Sequence, residues 1–395
     1  MATVIIFILI LSLLVLVHEW GHFITATKFG MKVHEFGIGF PPRAFGIYKD
    51  PKTGKWVWTR GKGKSDLQKT VSGNENTEDM DYPSTLYSFN WLPLGGFVRI
   101  KGENGEEANE SDSFGHHKAW KRIVVLAAGV FMNIVLAGVV LGIGFMIGLP
   151  SDTSMGLDKG AVLVDSSKVL VQMVDKNSPA EEAGIQYGDH VLSVAGVEVT
   201  KVDDLINYLT NSAVEGEESE IKIRRNGEEL NLSIKPELIG DVAEYPRFGF
   251  SPADVGIVRY PWYMAIYKGF AAAIFGLINI FIIFYLLIKN LILGQGLVME
   301  VSGPVGIAKM VGDSAKLGFN YLLNVTAMIS LSLAAINILP IPALDGGRIL
   351  FVIIEKIIRR PVPMKYEQIA HTIGFVLLMV LIVVVTGRDI LNLIR

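Results

Sequence analysis

The chain has 395 residues, half of them apolar, with a mean hydropathy of +0.41 and a formal net charge of −3. That balance argues against one large soluble enzyme, gives no footing for nucleic-acid binding, and points to a polytopic membrane protein with a soluble part. Cysteine is absent, which excludes disulfides, all-cysteine zinc sites and thiol chemistry, so any metal site must use His, Asp and Glu.

The first apolar run starts at Val4 and carries no charge before His18. Met1-Ala2-Thr3 lacks the positive region of a secretory signal, so residues 1–27 are expected to be a retained span. Inside it lies His18-Glu19-Trp20-Gly21-His22. On a helix, residues four apart share a face, so both imidazoles can hold zinc while Glu19 acts as general base. Ionisable groups near the bilayer centre cost roughly 2.5–3.5 kcal/mol each, so they need a partner or a purpose.

Residues 28–118 read as loop with some strand, because Gly37-Ile38-Gly39-Phe40-Pro41-Pro42 breaks any helix. The stretch 62–84 is polar and reads as mobile. Phe89 to Ile100, containing Pro93-Leu94-Gly95-Gly96-Phe97-Val98, reads as a hairpin with one face toward lipid. An ordinary turn fits the same composition.

A second span is expected in 119–149. Residues 160–253 read as a small α/β domain. Its expected strands are 169–174 and 190–194. Short helices are expected after Ser178 and over 202–210, and a hairpin joins 221–225 to 230–234 across Asn226-Gly227. The region 260–318 contains a long apolar run, Trp262 to Leu293, interrupted only by Lys268 and Lys289. A third span falls in 319–347, a cytoplasmic loop in 348–365 and a fourth span in 366–387.

Lys28, Lys32, Lys118, Lys121 and Arg122 flank spans one and two, and Arg348, Lys356, Arg359, Arg360 and Lys365 lie between spans three and four. The segment 150–260 has twice as many acidic as basic residues. The positive-inside rule then puts 28–122 and 348–365 in the cytoplasm, with the acidic domain and both termini outside. His18 lies fourteen residues beyond Val4, about 21 Å along a helix, in the cytoplasmic half of the bilayer.

Zinc needs a third protein ligand and an open position. His34, His116, His117 and His190 fall in polar segments, and His371 reads as a packed or interfacial residue. Asp345 is the better candidate. It follows span three in Asn337-Ile338-Leu339-Pro340-Ile341-Pro342-Ala343-Leu344-Asp345-Gly346-Gly347, a carboxylate in an apolar setting that needs a cation. Depth agrees only if span three runs inward. The 260–318 region is then expected to be interfacial or re-entrant rather than one crossing.

These residues together resemble the site-2 protease family of intramembrane zinc metalloproteases, in particular its bacterial single-PDZ members. The resemblance rests on HExxH in span one with NxxPxPxLDGG after span three. It extends over Phe36–Phe40, Pro93–Val98, Ser178–Gly184 and Ser302–Ala308. Val130 departs from the family, which usually has Pro there before Asn133, and 62–84 is longer than usual.

The resemblance implies a polytopic α-helical membrane protein of about four transmembrane helices. It implies a membrane-associated cytoplasmic β-hairpin and an inserted extracytoplasmic PDZ domain, in the bacterial inner membrane. Zn2+ would be held by His18, His22 and Asp345, with Glu19 as base. Asn337 would orient the substrate backbone, and Pro93, Leu94, Gly95, Gly96, Phe97 and Val98 would offer a strand edge. The expected activity is hydrolysis within or near the spans of single-span membrane proteins, such as anti-sigma factors or remnant signal peptides. Phe248-Gly249-Phe250 resembles the loop that holds a peptide C-terminus in permuted PDZ domains. The alternatives are a metal transporter, which has no need of Glu19, and a non-catalytic PDZ scaffold, which has no need of the intact ligand set.

Overall fold

The computed structural model describes residues 2–60, 82–103, 110–154, 156–175, 178–225, 227–238, 245–293, 302–360 and 362–394. Most of the polar stretch 62–84, and Asn226 of the expected hairpin turn, lie outside them. The chain divides into two compact units. One holds residues 1–140, 269–318 and 322–395, and the other holds 141–268 and 319–321.

In the first unit, α1 (Ala2–Lys28) forms because Val4 to Val17, apolar apart from Ser12, holds no Gly or Pro to break it. It crosses α2 (Ala119–Ile147) closely. A Cβ at Gly21 would lie 2.4 Å from the Ala128 carbonyl oxygen, so glycine is required there for the backbones to meet. Ala26 clusters with Val125 and Leu126, and Ile10 with Leu136, so the two helices are antiparallel.

Between them lies a sheet of β1 (Val33–Lys49), β2 (Trp56–Thr59) and β3 (Leu86–Ile100), in the order β2-β1-β3. This region holds far more strand than its glycines and prolines suggest. β3 doubles back near Gly95 (φ +82°), and both of its arms register against β1, with Phe36 opposite Val98 and Tyr87. The bend docks on α1: Ser12 Oγ donates to the Pro93 carbonyl, and Gly95 N donates to Ser12 Oγ at 3.2 Å. A groove of about 270 Å³ on this sheet is lined by Phe36, Ile38, Ile47, Trp56, Tyr87 and Phe89.

The second unit carries a sheet ordered β4-β10-β5-β6-β8-β9. Its strands are β4 (Leu149–Asp152), β5 (Val162–Val174), β6 (His190–Val194), β8 (Ser219–Arg225), β9 (Glu228–Ile234) and β10 (Phe250–Arg259), and β7 (Val197–Glu198) pairs with β6. Its helices are α3 (Pro179–Glu182) and α4 (Val202–Asn211). In β8, Ile221 and Ile223 point inward between outward Glu220, Lys222 and Arg224, the period of a half-buried strand. They pack with Val169, Val191, Leu205, Ile234 and Phe248. Asp189, 1% exposed, receives Arg225 through Nε and Nη2 at 2.7 and 2.6 Å. That carboxylate raises the Arg225 pKa.

The run expected to be interfacial or re-entrant is one unbroken helix, α5 (Trp262–Ile292). The sequence 262–292 has no proline to break it. α6 (Pro304–Leu317) and α7 (Phe319–Ile338) follow, then α8 (Asp345–Ile358) and α9 (Met364–Ile394). Among the described residues five helices are long and apolar enough to cross a membrane: α1, α2, α5, α7 and α9.

The Arg225–Asp189 pair generates one prediction. Arg225→Met leaves the buried carboxylate uncompensated and should cost about 3 kcal/mol. Thermal unfolding of the full chain should show the second unit melting earlier, and Asp189→Asn combined with Arg225→Met should recover part of the loss. An unchanged melt for the single variant would contradict the role given to this pair.

Candidate metal centre

His18 and His22 sit one turn apart on α1 and are 7% and 6% exposed. Their rings meet edge to face, with Nε2 atoms 3.1 Å apart. Asp345 Oδ2 lies 2.9 Å from His18 Nε2 and 3.4 Å from His22 Nε2. Glu19 is half-buried between the two histidines in sequence, and Trp20 faces outward.

Asp345 arrives there because the chain breaks after α7. Pro340 and Pro342 prevent continuation, and Ala343 takes a left-handed conformation (φ +81°) before α8 begins at Asp345. The strained residue is held by His371, whose Nδ1 accepts the Ala343 N–H at 2.7 Å. Gly346 and Gly347 are obligatory. A Cβ at either would lie 2.2 Å from the Leu339 carbonyl oxygen or 2.4 Å from that of Ile341. Asp345 also occupies the first turn of α8, where the helix dipole favours a carboxylate.

Two imidazole nitrogens and a carboxylate oxygen converging in an apolar interior fit one divalent cation. Ligands 2.0–2.1 Å from a tetrahedral ion stand about 3.3 Å apart, close to the spacing seen here. His18, His22 and Asp345 form a cluster able to hold a metal ion among the described residues. Gly129 on α2 lies directly against the two imidazoles. A Cβ there would sit 2.4 Å from His22 Nε2 and 2.7 Å from His18 Nε2. The other ring nitrogen of His22, Nδ1, pairs with the Val125 carbonyl at 2.8 Å, and that of His18 faces Asn133.

The remaining sequence candidates divide. Asn337, near the end of α7, is half-buried, and among the described residues its side chain makes no hydrogen bond. Pro93, Gly95, Gly96, Phe97 and Val98 lie in β3 beside α1, with Gly95 against Val15 and Gly96 against Leu16. The Leu94 side chain is outside the described residues. Phe248 is a core residue, 2% exposed. The Gly249 carbonyl is taken by Asp175 N and Ser178 Oγ, and Phe250 pairs with Val174. The edge of β10 has further limits: Pro252 has no N–H to donate, and β4 covers Val255 to Val258. His34, His116, His117 and His190 take no part in the cluster.

Sequence reasoning did not assign functional weight to Val125, Gly129 or Asn133. Their spacing, i, i+4 and i+8, marks one face of α2, but only the crossing with α1 shows what that face meets. His371 was read as a packed residue, and its tie to Ala343 makes it a support of the Asp345 loop. Nearby, Arg122 pairs with Glu355 at 2.7 Å and Arg348 pairs with Glu103. All four line a cavity of about 150 Å³ together with Glu367.

Residues 6–54 and 79–381 match the model for Peptidase family M50. A putative zinc metalloprotease of Clostridium perfringens is 35% identical over 386 residues, 97% of each chain. The regulator of sigma-W protease RasP of Bacillus subtilis is 29% identical over 446 aligned positions, 99% of each chain. Among solved structures, the PDZ domain of an SdrC-like protein from Listeria innocua matches 22% of this chain and 92% of its own, at 22% identity and a TM-score of 0.20. With its family model covering most of its length and a relative of this similarity, the chain belongs to peptidase family M50 and is a zinc metalloprotease.

Proposed function

We propose that His18, His22 and Asp345 are the zinc ligands of this protease and that Glu19 is its general base. The observation that carries this reading is the triangle of donor atoms, 2.9–3.4 Å on a side. Bound there, zinc would supply a water of pKa about 7 and polarise the scissile carbonyl. Glu19 takes the water proton and passes it to the leaving amine. The shielded position of the histidines excludes bulk water from the reacting bond.

A substrate helix hides its carbonyls in its own hydrogen bonds and must open to be cut. The bend of β3, fixed on α1 at Ser12 and Val15, offers an extended edge one to two turns from His18. Asn337, with its amide uncommitted, is placed in the same role toward the substrate backbone. The substrates are spans of single-span membrane proteins. The Bacillus subtilis relative is named a regulator of sigma-W protease, which favours an anti-sigma factor. In the second unit, Pro252 and β4 leave a peptide C-terminus only the first residues of β10, so any capture there is by the terminal residues alone.

The helix directions also support a topology. α1 and α2 are antiparallel. The first half of α1 clusters with the first half of α7, while Asp345 after α7 reaches His18, so these two are parallel. α6 meets the far ends of α1 and α9, through Gly312 with Thr3 and Gly306 with Asp389. A single crossing by α5 would leave α7 starting on the wrong side. The segment 293–303 is too short to return across the bilayer as a helix. Four single crossings therefore stand against the five candidates counted by length and composition. α5 lies sunk in the outer leaflet, and the basic ends Lys28, Lys118, Lys121 and Arg122 are cytoplasmic. Both termini and the second unit are then extracytoplasmic, in a bacterial inner membrane.

Three measurements test this reading. Glu19→Gln should retain zinc and lose cleavage of a model membrane substrate by at least about 10²-fold; unchanged cleavage would rule out the mechanism. Gly129→Val should fill the space beside the two Nε2 atoms and abolish stoichiometric zinc, and full zinc occupancy would contradict the site. The natural chain has no cysteine, so Ile292→Cys gives a clean topology probe. An impermeant maleimide should label it from outside, and labelling only from the cytoplasm would overturn the placement of α5.

A further inference from the structure

Asn133 is fully buried in α2. Its backbone carbonyl accepts a hydrogen bond from Ser330 Oγ at 2.8 Å, so α7 locks that turn of the helix. Its side-chain amide faces His18 Nδ1 at 3.4 Å, while Oδ1 has no partner among the described residues. The nitrogen and oxygen of a carboxamide exchange places by a half-turn, and hydrogen-bond logic decides between them.

That logic starts at the other side of the ring. His18 presents Nε2 to the donor triangle. A neutral imidazole that gives its Nε2 lone pair carries its proton on Nδ1, so Nδ1 is a donor and needs an acceptor. An amide NH2 facing it would set donor against donor and leave the carbonyl oxygen unsatisfied. With the amide turned, Oδ1 accepts the Nδ1 proton and the donor–donor clash disappears. His22 already has this arrangement, through Nδ1 and the Val125 carbonyl.

We propose that Asn133 is a positioning residue whose Oδ1 holds His18 in the tautomer and orientation that a metal ligand needs. Val125, Gly129 and Asn133 then act as one strip at i, i+4 and i+8. The first supplies an acceptor for His22, the second lies against both imidazoles, and the third supplies an acceptor for His18. The inference rests on the assignment of His18 as a ligand. Asn133 touches neither substrate nor metal, so its effect should appear in metal affinity before it appears in chemistry.

The test uses the full chain in nanodiscs, with zinc affinity measured by chelator competition and melting followed with and without metal. Asn133→Leu should weaken zinc binding 10- to 100-fold while the metal-free melt stays at the wild-type temperature. Asn133→Asp keeps an acceptor at the same place and should bind zinc within a few-fold of wild type. Should the leucine variant fail to accumulate, Asn133→Ala reads the same loss. Wild-type affinity in Asn133→Leu, or an equal loss in Asn133→Asp, would overturn the proposal. His18→Ala separates the two claims. If it keeps stoichiometric zinc, the ligand assignment itself fails. If it loses zinc while Asn133→Leu does not, only the positioning role fails.

Discussion

Three electron-rich atoms, two imidazole nitrogens and one carboxylate oxygen, converge within 3.4 Å in the interior of a helix bundle. In an apolar interior such a group fits a shared positive charge. The other unusual features of the first unit follow from bringing these atoms together and keeping them aimed. The chain's relatives are zinc metalloproteases, and the proposal places the zinc here.

Two backbone devices achieve the convergence. The first is the α1–α2 crossing, made close by Gly21, with Gly129 directly against the two imidazoles. The second is the break after α7, where two prolines end the helix, Ala343 takes up strain and two glycines let α8 start against the preceding carbonyls. His371 anchors that loop from α9. The site is thus built from α1, α2, α8 and α9, and α1 with the first residue of α8 supplies every proposed ligand and the base. β3 brings a strand edge to the same helix through Ser12 and two close glycine contacts.

Much of this was legible in the sequence, for specific reasons. HExxH advertises itself because its spacing matches a helix face and its charges are out of place in an apolar run. Asp345 was legible as a lone carboxylate beside prolines and glycines. The strands and helices of the second unit follow their alternation and turn residues, down to the two arms of the β8–β9 hairpin. Other features were not readable. Val125 acts through a carbonyl, which no side chain signals. Gly129 acts through what it lacks, and one glycine among 41 carries no label. The Phe248 ring lies in the core, because a motif does not say which way an aromatic ring turns. The continuity of α5 was hidden by the same depth argument that fixed the direction of α7: parity limits crossings but not helix length.

The central claim is that this triangle is a zinc site, and zinc X-ray absorption on the purified full chain tests it most directly. The account predicts four nitrogen or oxygen scatterers at about 2.0 Å, with the outer-shell pattern of two imidazoles. Zinc with no imidazole pattern, or six water-like oxygens at longer distance, would contradict it.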